Sequence, residues 1–256
     1  MLNKSITRTL LASAILSAAA ALPVYAQNLS DTTVVLVHGA FADGSSWEKV
    51  IPLLQAKGLK VVAVQNPLTS LADDVAATQR VLDAQTGKVV LVGHSWGGTV
   101  ITQAGADAKV KALVYVAAFA PNVGEAVGAL GKEFAVPPGI ASLQADQAGY
   151  LSLPAASVAT NFAQDLSPAA TALIAATQGP INSKAFGEAV TVAAWKTKPS
   201  YYIVAANDRM IAPGLEQQFA KQMNAVSTTT LKSSHVPMLS QPKAVADIII
   251  TAASKQ

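Results

Sequence analysis

The chain contains no cysteine. That excludes disulfide staples, thiolate metal sites and a cysteine nucleophile. Charge is scarce as well: Asp, Glu, Lys and Arg make up only 13% of the residues. No run of Lys or Arg occurs, so nucleic acid is not an expected partner. There are three histidines, and no His-x-x-x-His or His-Glu pair joins them. No metal and no other cofactor is expected. Internal repeats and low-complexity tracts are lacking too. The longest apolar stretch, Leu10 to Leu22, is too short for a bilayer, which takes ~20 residues.

What is present is apolar bulk. Hydrophobic residues make up 51% of 256, enough for one large buried core but not for two full domains. The first 26 residues read as a secretory signal peptide. Lys4 and Arg8 precede the apolar stretch, Pro23 breaks it, and Val24-Tyr25-Ala26 offers small residues at a cleavage site. Cleavage would remove two positive charges from a net +3 and leave residues 27–256 with no stable membrane anchor. The expected location is a periplasm or the extracellular space.

Short β-branched runs alternate with longer Ala-rich amphipathic stretches. The runs are Thr33–Val37, Lys60–Val64, Val89–Val92, Ala112–Val116, Tyr201–Ala205 and Ser227–Leu231. Nearly continuous apolar strands are buried on both faces. The Thr-rich last run suits an edge. Helical stretches lie between, such as Ser70–Gln85, Gly98–Ala106 and Leu215–Met223. This alternation predicts a doubly wound, mostly parallel six-stranded sheet. About 80 residues separate the fourth and fifth runs, too many for a structureless loop. Pieces such as Pro168–Thr177 and Ser183–Trp195 look helical, so residues 123–198 read as an inserted helical cap.

The strongest chemical signal is Val89-Val90-Leu91-Val92-Gly93-His94-Ser95-Trp96-Gly97-Gly98. A strand runs into Gly-x-Ser-x-Gly and a helix follows. A nucleophilic serine needs such a turn, which is sharp and strained and leaves its oxygen exposed. Side chains at Gly93 and Gly97 would collide with the neighbouring strand and helix. Free N–H groups at the helix start face any developing negative charge. The first strand ends in His38-Gly39-Ala40-Phe41. The loop there should supply one oxyanion N–H, from Ala40 or alternatively Phe41, with Trp96 supplying the second. His38 reads as a brace for that loop.

Elimination identifies the base. His94 adjoins Ser95 on the turn, where successive side chains diverge, and His38 sits in the oxyanion loop. His235, just after the last strand, remains. The acid should lie between Ser95 and His235 at a strand end. Asp208, directly after Tyr201–Ala205, fits; Glu125 is the nearest competitor. No role falls to Arg209.

These segments together resemble the α/β-hydrolase superfamily of serine hydrolases. Val-Leu-Val-His-Gly-Ala followed by Gly44-Ser45-Ser46-Trp47, with His-x-x-Met near the end, resembles the branch of plant salicylic-acid-binding methyl esterases and hydroxynitrile lyases. The resemblance implies a metal-free esterase with Ser95, Asp208 and His235 as triad and Ala40 and Trp96 as oxyanion donors. The lyases carry Thr and Lys where this chain has Gly39 and Val236, which disfavours lyase chemistry. Ser95 excludes the usual mechanism of dehalogenases and epoxide hydrolases of this fold, which place Asp there. Phe41, Phe119, Phe134, Tyr150, Phe162, Phe186 and Trp195 are candidate pocket walls and suggest a small to medium, largely apolar ester. Amidase, thioesterase, perhydrolase or lyase action on the same triad, or a non-catalytic ligand-binding role, are the rival readings. The oligomeric state leaves no mark in the sequence.

Overall fold

The computed structural model describes residues 29–256; the expected signal peptide lies outside them. All six expected strands form. They are β1 (Thr32–Val37), β2 (Lys60–Val64), β3 (Lys88–Ser95), β4 (Val110–Ala118), β8 (Ser200–Ala205) and β9 (Ser227–Leu231). Between β4 and β8 come three short strands, β5 (Gln144–Ala145), β6 (Tyr150–Ser152) and β7 (Ile181–Asn182). The main sheet has the order β2-β1-β3-β4-β8-β9, and every neighbouring pair in it is parallel. Parallel strands need long crossovers, and helices supply them on both faces. Helix Leu71–Asp83 packs on helix Trp96–Ala104, while Pro242–Ser254 packs on Ile51–Gln55.

Sandwiching between helix layers explains the apolar runs. β1, β4 and β8 bury nearly every residue. The Thr-rich β9 stands at an edge and exposes most of its residues. The strand order reverses between β1 and β3. At such a switch point the loops leave in opposite directions and open a crevice beyond the carboxyl ends of the strands. Ser95 ends β3 beside that crevice.

The segment between β4 and β8 holds one helix where the sequence predicts it, Pro168–Thr177. Ser183–Trp195 departs from the expectation of a helix. Only two short 3-10 turns form, Ser183–Gly187 and Ala194–Lys196. Between them the chain is extended, with Ala189 bridging Ala126. Gly187 ends the first turn, and β-branched Thr191 and Val192 follow, a run with poor helix propensity. The three-stranded antiparallel sheet β5-β6-β7 is also unforeseen, since strands of two or three residues carry no readable period.

Side chains of this segment tie it to the sheet domain. Glu188 Oε2 accepts the N–H groups of Leu71 (3.0 Å) and Ala72 (3.4 Å), capping the positive end of a helix in the other layer. Asp165 Oδ2 accepts the Ser234 N–H at 2.8 Å, next to His235.

Candidate active site

Ser95 holds the conformation that its motif demands. Its φ is 52° and ψ −120°, a strained region for a residue with a side chain. A Cβ on Gly93 would lie 2.5 Å from the Gly97 carbonyl oxygen, and one on Gly97 would lie 2.5 Å from that of Val37. The turn therefore closes only with glycine at both places. Gly39 is equally constrained: a Cβ there would come within 2.7 Å of Ser95 Cβ. The departure from the lyases at this position thus has a steric counterpart.

Ala40 and Phe41 compete for the role of oxyanion donor, and hydrogen bonding separates them. The Phe41 N–H donates to the Gly179 carbonyl at 3.0 Å. The Ala40 and Trp96 N–H groups have no such partner among the described residues. Phe41 adopts a positive φ of 60°, which turns the chain after Ala40.

His38 braces the loop, as expected. Its Nδ1 bonds the Gly39 carbonyl at 2.8 Å, and its Nε2 accepts the Asn66 N–H at 2.9 Å. Asn66 Nδ2 returns a bond to the His38 carbonyl at 3.0 Å. Burial lowers the His38 pKa, so the ring is neutral and can accept at Nε2. His94 turns away from the serine oxygen and donates Nε2–H to the His235 carbonyl at 2.8 Å. Burial, followed by the neighbouring His235, pushes its pKa well down.

His235 is 1% exposed. Its Nδ1 meets Asp208 Oδ2 at 2.5 Å. Asp208 Oδ1 accepts the N–H groups of Met210 (2.6 Å) and Ile211 (2.9 Å). Three donors thus converge on one buried carboxylate. The Phe162 ring stands edge-on to His235 with centroids 5.2 Å apart. No hydrogen bond joins Ser95 Oγ to the imidazole among the described residues; such bonds often tighten only around bound substrate. Glu125 stands apart from this group. Its Oε2 accepts the Asn122 N–H at 2.8 Å, closing a turn after β4. Arg209 donates to the Thr160 carbonyl at 3.0 Å rather than pairing with a carboxylate.

Two cavities flank the site. The larger, about 440 Å³, is lined by Phe119, Phe134, Phe186, Met210, Ile211 and neighbouring apolar residues. Phe119 reaches it from beside the serine, its N–H donating to the Ser95 carbonyl at 3.2 Å. The smaller, about 60 Å³, includes Phe41, Phe162 and Val236. Tyr150 and Trp195 line neither. Tyr150 lies in the small sheet. Trp195 is buried with its indole N–H donating to the Pro121 carbonyl at 3.0 Å. Phe186, a candidate wall from the sequence, does line the larger cavity, and Met210 lines it without having been singled out.

Asp74 is a further site residue without a sequence signal. It is fully buried. Its Oδ2 accepts the Trp96 indole N–H at 2.7 Å, and its Oδ1 accepts the Leu68 N–H at 2.8 Å. It therefore fixes the side chain of the residue next to Ser95. Burial pushes its pKa from 3.8 to about 6, with the Trp96 bond pulling the other way. Because the folded value is raised, the stability supplied by its proton is present below pH ~4 and is lost as pH climbs through about 6. The loss should be on the order of 3 kcal/mol for such a shift. Asp74→Asn should flatten that decline. Urea unfolding at a series of pH values from 4 to 7 measures it; an unchanged slope would rule out this origin.

A parallel sheet of this order, carrying a strand–Gly-x-Ser-x-Gly–helix turn at its switch point, defines an α/β-hydrolase fold. The model of the alpha/beta hydrolase family matches residues 34–248, and the chain belongs to that family. It is 28% identical over 241 residues to probable hydrolase R7 of Phoma sp., covering 84% of this chain and 96% of that one. Over 103 residues it is 37% identical to salicylic acid-binding protein 2 of Nicotiana tabacum, covering 34% of this chain and 40% of that one. Polyneuridine aldehyde esterase shares the fold, with a TM-score of 0.74 at 20% identity over 86% of this chain and 98% of that one.

Proposed function

We propose that the protein is a carboxylic ester hydrolase working through an acyl-enzyme. Ser95 attacks the acyl carbon while His235 takes its proton, and Asp208 holds the imidazole in the tautomer that accepts at Nε2. The Ala40 and Trp96 N–H groups hold the oxyanion. The alcohol leaves with the proton carried by His235. Water then attacks the acyl-enzyme by the same relay and releases the acid. The observation that carries this reading is a convergence at the carboxyl ends of the strands. There the strained Ser95 turn adjoins a buried His235–Asp208 pair and two N–H groups without a partner among the described residues.

The substrate we propose is a small-molecule ester with a largely apolar body. A cavity of about 440 Å³ walled by Phe119, Phe134 and Ile211 is the size of ordinary ligand pockets. Residues 123–198 act as the cap over it, contributing Phe134 and Phe186. The export expected from residues 1–26 is part of the same reading, with the mature enzyme beginning near Gln27.

A panel of p-nitrophenyl esters of graded chain length, with matching amides and thioesters, tests the reaction class. Ester turnover should exceed amide turnover at every chain length; turnover confined to the amides would overturn the reading. The rate on the preferred ester should rise with pH as His235 loses its proton, because only neutral imidazole can accept from Ser95. A rate that stays flat from pH ~5 to ~9, with chemistry limiting, would remove His235 as the base.

A further inference from the structure

Behind Asp208 lies a second carboxyl, that of Glu216. It sits in the first turn of helix Pro213–Gln222 and is fully buried. Its Oε2 accepts the Ala205 N–H at 2.9 Å, at the end of β8 just ahead of Asp208. Among the described residues its Oε1 has no N–H or O–H donor. The side chain is within hydrogen-bonding reach of the Asp208 carboxyl.

Two adjoining buried carboxyls cannot both stay ionised. Asp208 receives three donors, from Met210, Ile211 and His235. Glu216 receives one. The proton shared by the pair therefore resides on Glu216, on the otherwise unpartnered Oε1. A carboxylate offers about four acceptor sites, and the three donors leave one of those on Asp208 open. We propose that Glu216 is a protonated positioning residue whose O–H donates to Asp208, fixing that carboxylate and setting how strongly it holds the His235 imidazolium.

The inference rests on the reading of Asp208 as the partner of the catalytic base. Burial, followed by the charge of Asp208, drives the Glu216 pKa well up. The other titratable groups facing this cluster are few. Tyr202 feels the charge of both carboxyls but gives its hydroxyl to the Ala118 carbonyl, and it is itself pushed far up by burial. The His94 ring lies tilted against that of His235, with centroids 4.7 Å apart, and is neutral. Asp165 approaches from the inserted segment, bonded to the Ser234 N–H. None of these supplies a positive charge that would keep Glu216 ionised.

The donated bond spreads the negative charge of Asp208. Removing it concentrates that charge and strengthens the hold on imidazolium. Glu216→Leu should then move the acid limb of the kcat/KM profile to higher pH and lower kcat by ~10-fold or more, with KM nearly constant. Glu216→Gln keeps an acceptor for Ala205 and a donor for Asp208. Its acid limb should match the wild type, with kcat restored to within ~3-fold. Were Glu216 ionised, the same Gln change would delete a negative charge and shift the limb to lower pH by on the order of one unit; that result overturns the proposal, as does an unchanged profile in Glu216→Leu.

Infrared spectroscopy at pH 8 gives an answer that does not depend on turnover. Asp74 is ionised there, with its pKa of about 6. A carbonyl stretch from a protonated carboxyl should persist at that pH and vanish in Glu216→Gln. Its absence from the wild type overturns the proposal even if the triad reading stands. Conversely, activity surviving Ser95→Ala would sink the triad reading while leaving the band in place.

Discussion

Ser95→Ala should abolish ester turnover while leaving the fold intact. Loss of one member of a working triad typically costs ~10⁴- to 10⁶-fold in kcat. The residual rate comes from binding and the oxyanion donors, and the donors proposed here are main-chain N–H groups that the change does not touch. Folding should not suffer. Ser95 Oγ makes no hydrogen bond among the described residues, and alanine removes only that oxygen from a residue 8% exposed. The backbone strain at φ 52° is the same for alanine as for serine. Steady-state turnover of the best p-nitrophenyl ester, beside a thermal melt of both proteins, measures the effect. More than a few per cent of wild-type turnover in a correctly folded Ser95→Ala would end the proposal that Ser95 is the nucleophile.

Asp208→Asn carries the next largest expected effect, on the order of 10⁴-fold in kcat. Asparagine keeps the shape and one acceptor oxygen. The Met210 and Ile211 N–H groups already claim a single oxygen, Oδ1. The amide will therefore present that oxygen to them and its N–H₂ to His235. The imidazole must then accept at Nδ1 and carry its proton on Nε2, facing Ser95, where it cannot act as a base. The charge that stabilises the imidazolium is lost at the same time. Glu125→Gln should be nearly silent, because Glu125 only closes a turn through the Asn122 N–H. Measured side by side, a damaging Glu125→Gln with a near-normal Asp208→Asn would transfer the acid role to Glu125 while the roles proposed for Ser95 and His235 could stand.

Glu216 and Asp208 are separated by eight positions, and only one of them announces itself. Asp208 directly follows an apolar strand, where acids of this fold belong. Glu216 falls in the first turn of a helix, where an acid normally faces water and complements the helix dipole. Asp74 is masked in the same way, in the first turn of Leu71–Asp83. Both instead turn inward because a backbone N–H or an indole N–H from a distant element meets them there. Glu188 illustrates the reverse: an acid in an irregular segment caps a helix more than a hundred positions earlier.

The sequence by itself determined the six strands, the edge position of β9, the serine turn and the chain order of serine, acid and histidine. Each of these is written locally, in β-branched runs, glycine spacing and the residues that follow strand ends. Only the tertiary structure decided which oxyanion-loop N–H is unpartnered, which aromatics wall the larger cavity, and which carboxyls stand behind Asp208 and Trp96. Those outcomes depend on pairs such as Phe41 with Gly179, Trp96 with Asp74 and Ala205 with Glu216. A hydrogen bond or a cavity wall is set by distance in space. Composition and periodicity carry no record of which distant segment arrives to make it.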